Sequence, residues 1–72
     1  MILEPDYPNI VMSSLYRGLT IELDCGTLDG HPVYSAWVNY PTGNALAVPK
    51  AWSREEALRR AKRWIDRRFH FY

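Results

Sequence analysis

The sequence predicts an α+β fold: a three-stranded antiparallel β-meander packed by one C-terminal amphipathic α-helix. Three observations predict it. Leu19, Ile21, Leu23 and Cys25 alternate with Thr20, Glu22 and Asp24, the period-two signature of a half-buried strand. Val33 to Tyr40 is a second run, rich in β-branched and aromatic residues, and the turn-forming pair Asp29-Gly30 separates the two. From Ser53 onward the apolar residues recur with helical spacing.

Residues 1–15 read as an extended N-terminal arm, because Pro5 and Pro8 each disfavour the helical conformation of the preceding residue. Ile10-Val11-Met12 has the composition to add a short edge strand to it. Residues 16–72 read as a single β-β-β-α domain. Its first strand, Leu19 to Cys25, is broken by Gly26, by Asp29-Gly30 and by Pro32. In the second strand Tyr34, Ala36, Val38 and Tyr40 share one face, and Val33, Ser35, Trp37 and Asn39 share the other. Bulky groups on both faces point to a central strand; if the helix covers the Tyr34/Val38 face, Trp37 stands on the open face, exposed or under the N-terminal arm. Pro41-Thr42-Gly43-Asn44 is a tight turn, and Ala45 to Val48 a short third strand that Pro49 ends, as suits an edge.

The helix carries its own punctuation. Ser53 is a good N-cap and Glu56 stands at N3, which together make a capping box, with Trp52 and Ala57 at the staple positions. Ala57, Leu58, Ala61, Trp64, Ile65 and Phe69 form one apolar stripe. Glu55 with Arg59 and Glu56 with Arg60 have the spacing of helical ion pairs, and arginines crowd the last turns, where the helix dipole favours cations.

Composition narrows the function classes. At 72 residues the chain is one small domain, and 47% hydrophobic with 24% charged residues is globular rather than disordered composition. Aromatics reach 14%, which helps a chain too short to bury much more than about 60% of its unfolded surface. The single Cys25 excludes an internal disulfide and a four-thiolate zinc site. No apolar run approaches the roughly 20 residues of a membrane span, and the N-terminus lacks a basic segment followed by an apolar one. A soluble chain in the reducing cytoplasm, without membrane association, is the expectation.

The net charge of +1 conceals a segregation. Before residue 50, Glu4, Asp6, Glu22, Asp24 and Asp29 face only Arg17. From Lys50 onward, Arg54, Arg59, Arg60, Lys62, Arg63, Arg67 and Arg68 outnumber Glu55, Glu56 and Asp66. An acidic front and a basic tail result.

Catalytic chemistry has little to build on. A nucleophilic site needs a nucleophile, a base and a group that orients the base. Only His31, in a turn, and His70, in the terminal run, have the side-chain type of a near-neutral base. Cys25 ends a strand with acidic neighbours, which disfavour a thiolate, so it reads as a small inward-facing hydrophobe. Cys25 with His31 leaves a metal site short of ligands. Glu22 and Asp24 read as a solvated pair rather than an acid–base couple. No enzyme activity, cofactor or metal is expected.

Several stretches resemble known families. Tyr34-Ser35-Ala36-Trp37-Val38-Asn39-Tyr40, the Thr42-Gly43-Asn44 turn and Ser53-Arg54-Glu55-Glu56-Ala57 leading to Lys62-Arg63-Trp64 resemble the arm-type DNA-binding domains of phage-type tyrosine integrases. That resemblance covers about half of the chain and implies a sheet followed by a helix. The family's sheet is basic, whereas Glu22 and Asp24 stand on the first strand here, so its DNA-contacting role passes to no strand residue. Tyr16-Arg17-Gly18-Leu19-Thr20-Ile21, Trp37, Ser53 with Glu55-Glu56-Ala57, and Ala61-Lys62-Arg63-Trp64-Ile65-Asp66 resemble small stand-alone β-β-β-α proteins of bacteria and their phages. This second likeness implies the fold more than the function. Compact, charge-segregated proteins of this size are also similar to phage-encoded inhibitors of host machinery, anti-CRISPR proteins among them.

The leading expectation is a non-enzymatic binding module, bacterial or phage-encoded, that occupies a protein surface through an acidic-aromatic patch of Trp37, Glu22 and Asp24. A nucleic-acid binder using Arg59, Arg60, Arg63 and Arg67 on phosphates is the alternative. A homodimer through an exposed sheet edge or face is the third reading.

Overall fold

The computed structural model describes residues 10–69 and has the order β1 (Ile10–Tyr16), β2 (Leu19–Leu28), β3 (His31–Tyr40), β4 (Gly43–Ala51) and α1 (Arg54–Phe69). The fold is α+β with one C-terminal helix, as the sequence pattern predicts, but the antiparallel sheet has four strands rather than three, in the order β1-β2-β3-β4. The added strand is β1. Residues 10–15, read above as the end of an arm, pair with β2 from Ile10↔Asp24 to Tyr16↔Leu19. Residues 1–9 of that arm, and His70, lie outside the described residues.

Two hairpins close on positive backbone φ. Arg17 (51°) and Gly18 (83°) join β1 to β2, and Asp29 (52°) and Gly30 (81°) join β2 to β3. Two consecutive left-handed residues define the hairpin turn whose twist matches that of the flanking strands. Asp29-Gly30 is the favoured chemistry for it, while Arg17 occupies the same conformation without that advantage.

β2 and β3 run further than the sequence pattern predicts. Gly26 and Pro32 do not end them: Gly26 pairs with Val33 and Thr27 with Pro32. The pairing of β3 with β4 reaches only as far as Tyr34↔Ala51, so the missing N–H of Pro32 is not needed on that side. β4 is likewise longer than Ala45 to Val48, because register shifts between Tyr34 and Trp37 carry the strand past Pro49 to Ala51.

One face of the sheet and one stripe of the helix make the core. Leu19, Ile21 and Leu23 of β2, Ala36 and Val38 of β3, Val48 and Ala51 of β4, and Ala57, Ala61 and Ile65 of α1 are buried. Tyr34, Tyr40, Leu58, Trp64 and Phe69 pack around them. Each large aliphatic side chain removed from water contributes roughly 1.5–3 kcal/mol. The four small alanines let α1 lie close against β3 and β4. The helix begins on the Ser53 hydroxyl, which accepts from the Glu56 N–H at 3.0 Å. The Glu56 carboxylate reaches back one residue further than a standard capping box, accepting from the Trp52 N–H at 3.0 Å. Trp52 does not staple the helix: it is 57% exposed, with the Lys50 ammonium 5.4 Å from its ring centroid.

Candidate functional site

Because α1 covers one face of the sheet only, the alternating residues of all four strands stand on the other. Register places them in cross-sheet rows. The central row runs Ser13, Glu22, Trp37, Leu46, and the next runs Leu15, Thr20, Asn39, Asn44. On the other side of the central row, Ile10, Asp24 and Ser35 align.

The three residues predicted for an acidic-aromatic patch therefore come together. Trp37 is half-buried among its row-mates, and its indole Nε1–H donates to Asp24 Oδ2 at 3.3 Å. That bond fixes the ring and leaves its apolar surface flanked by Glu22 and Leu46. Glu22 and Asp24 are half-buried and form no ion pair among the described residues. None of the residues in these rows is a lysine or arginine, so the patch is anionic against an apolar and neutral background. Its apolar rim is not written in the strand pattern: Leu15 is 73% exposed and Leu46 43% exposed. The signal for Leu15 was hidden because β1 buries no side chain fully and carries a register irregularity between Ile10 and Met12.

On the opposite side of the molecule the helix divides the predicted cationic set. Arg60, Arg63 and Arg67, with Arg68, line a cleft of about 380 Å³ against Ala47, Val48 and Trp64. Arg59 does not belong to it. That residue lies on the other flank of α1 with Glu55, Leu58, Lys62, Arg63 and Asp66. Around the helix axis Arg59 stands about 40° from Arg63 and about 100° from Arg60, so Arg63 borders both flanks while Arg60 lines the cleft only. Of the two expected helical ion pairs, Glu56–Arg60 is present at 3.4 Å, and Glu55 with Arg59 forms none among the described residues.

The remaining carboxylate of α1 is committed elsewhere. Asp66 pairs with Arg17 Nε at 2.9 Å and accepts from the Tyr16 hydroxyl. The Arg17 guanidinium is held above its ordinary pKa, first by its hydrogen bond with Tyr16 and then by Asp66, and stays cationic. Cys25 is half-buried opposite Tyr34, with a long contact of 3.7 Å from its thiol to the Gly26 carbonyl. Among the described residues no three His, Cys, Asp or Glu side chains gather as metal ligands, and no helix is long and apolar enough to cross a membrane.

Comparison with family models, curated proteins and solved structures gave no match. The functional reading rests on the two faces themselves.

Proposed function

We propose that the chain is a non-enzymatic binding module whose sheet face opposite α1, centred on Trp37, Glu22 and Asp24, captures a protein partner bearing basic and apolar groups. One observation carries this reading: a tryptophan whose indole is hydrogen-bonded to Asp24 lies between a carboxylate and an exposed leucine, with no cation in its own row among the described residues. Tryptophan held in one orientation presents a large contact area at little entropic cost and is the residue type most enriched at binding hot spots. Carboxylates beside it that form no ion pair among the described residues select a basic partner and steer its approach.

The test uses the full chain as bait. A protein retained from lysate is identified, purified and titrated against wild type, a Glu22→Lys/Asp24→Lys variant and Trp37→Ala. The reading requires at least a hundredfold weaker affinity for the charge-reversed pair, with a cooperative melt at the wild-type temperature. An affinity for the purified partner that charge reversal leaves unchanged removes the sheet face from the interface.

A second reading, self-association, is favoured by β1. Its seven residues, Ile10 to Tyr16, form a sheet edge without a single charge, whereas the β4 edge carries Pro49 and Lys50. Uncharged edges with free backbone groups template further strand pairing.

A further inference from the structure

We infer that the arginine cleft between α1 and β4 is a second binding site, and that its ligand is the phosphodiester backbone of a nucleic acid. This goes beyond the sheet-face reading and uses the opposite side of the molecule. The cleft has a definite charge composition. Among the described residues its lining contains Arg60, Arg63, Arg67 and Arg68 and no carboxylate, while the other helix flank, which shares Arg63, mixes Arg59 and Lys62 with Glu55 and Asp66. The folding of the chain produces this separation. Asp66, the acidic residue nearest Arg63 and Arg67 in sequence, is turned to the far flank by Tyr16 and Arg17.

Two of the arginines are held in place. Arg60 Nη1 donates to the Lys50 carbonyl at 2.9 Å and pairs with Glu56 at 3.4 Å, so its charge is partly compensated while its remaining N–H donors are available. The Arg68 guanidinium rests over the Trp64 ring, 5.4 Å from the centroid. Arg63 and Arg67 form no ion pair among the described residues. Holding some cations in place lowers the entropy lost when an anion binds.

The shape selects a chain of phosphates over a single anion. Arg60 to Arg67 spans about two helical turns, roughly 10 Å along the axis, more than one phosphate group can bridge. Bidentate guanidinium groups repeated at that spacing suit successive phosphates of a backbone, without reading base identity.

Fluorescence anisotropy of labelled single- and double-stranded 20-mer oligonucleotides, titrated with the full chain, tests the assignment. With three to four phosphates neutralised, duplex affinity falls roughly 40- to 150-fold between 50 and 200 mM salt. An Arg63→Ala/Arg67→Ala variant flattens the salt slope by about two, as expected for two lost phosphate contacts, with an unchanged circular-dichroism melt. Arg59→Ala removes the same kind of charge from the other flank and shifts affinity less than twofold. Three results overturn the inference: no oligonucleotide binding at 50 mM salt, an Arg59→Ala loss equal to that of the cleft variant, or binding to phosphatidylserine vesicles without binding to either oligonucleotide.

Discussion

The Tyr16 hydroxyl donates to both carboxylate oxygens of Asp66, at 3.0 and 3.1 Å, across 50 residues of sequence. This contact joins the end of the edge strand β1 to the C-terminal half of α1. Arg17 completes the cluster by pairing with the same carboxylate, and Lys62 sits over the Tyr16 ring at 5.4 Å to its centroid. The cluster docks β1 to the domain and also keeps a negative charge out of the arginine cleft.

Tyr16→Phe therefore lowers stability by about 0.5–1 kcal/mol, the lower range for a hydrogen bond because both groups meet water. Urea unfolding followed by circular dichroism shows this as a reduced midpoint at constant slope. An unchanged midpoint would mean that the contact contributes nothing to docking β1.

Ser53→Ala removes the side-chain acceptor for the Glu56 N–H and costs about 1 kcal/mol. Glu56→Ala is expected to cost more than an ordinary surface substitution, because it releases both the Trp52 N–H and the pinned Arg60. Thermal melts of the two variants, compared with a Glu55→Ala control, separate capping from general surface charge.

The close approach of α1 to the sheet makes its middle sensitive in both directions. Ile65→Ala opens a cavity under a fully buried side chain and costs about 2–5 kcal/mol. Ala61→Leu overfills a position with no exposure and costs about 1–3 kcal/mol. Denaturant midpoints that leave Ala61→Leu as stable as wild type would show that the helix can stand further from the sheet.

These sensitivities follow where the sequence was legible. The Ser53 cap and the 57-58-61-64-65-69 stripe are local signals with helical period, and the buried Ala57, Ala61 and Ile65 lie on that stripe. Leu19, Ile21 and Leu23 likewise wrote their burial into strict alternation. β1 left no such mark. As an edge strand with a register irregularity it has two half-buried positions, Ser14 and Tyr16, and no alternation of buried and polar residues to detect. β4 was underestimated for a related reason: its bulges around Ala47 and Pro49 break the period of two. The patch of Trp37, Glu22 and Asp24 was legible because one strand parity and one turn fix it. The exclusion of Arg59 from the cleft, although it shares a flank with Arg63, depends on what β4 places beside the helix, which spacing does not encode.

The uncharged β1 edge gives a separate expectation. Leu15→Lys adds a charge at a side chain already 73% exposed, so stability changes by no more than about 0.5 kcal/mol. Sedimentation velocity over a hundredfold concentration range is expected to show less self-association for this variant than for wild type. Identical sedimentation of the two proteins would exclude β1 as an association edge.

Under the proposed function the sheet face, and not the helix, receives the protein partner. The most direct measurement is a two-dimensional NMR titration of the isotope-labelled chain with the purified partner, following backbone signals and the Trp37 indole N–H. The signals of Trp37, Glu22, Asp24 and Leu46 are expected to shift together while those of Arg63 and Arg67 stay in place. Shifts confined to α1, with the Trp37 indole signal unmoved, would contradict it.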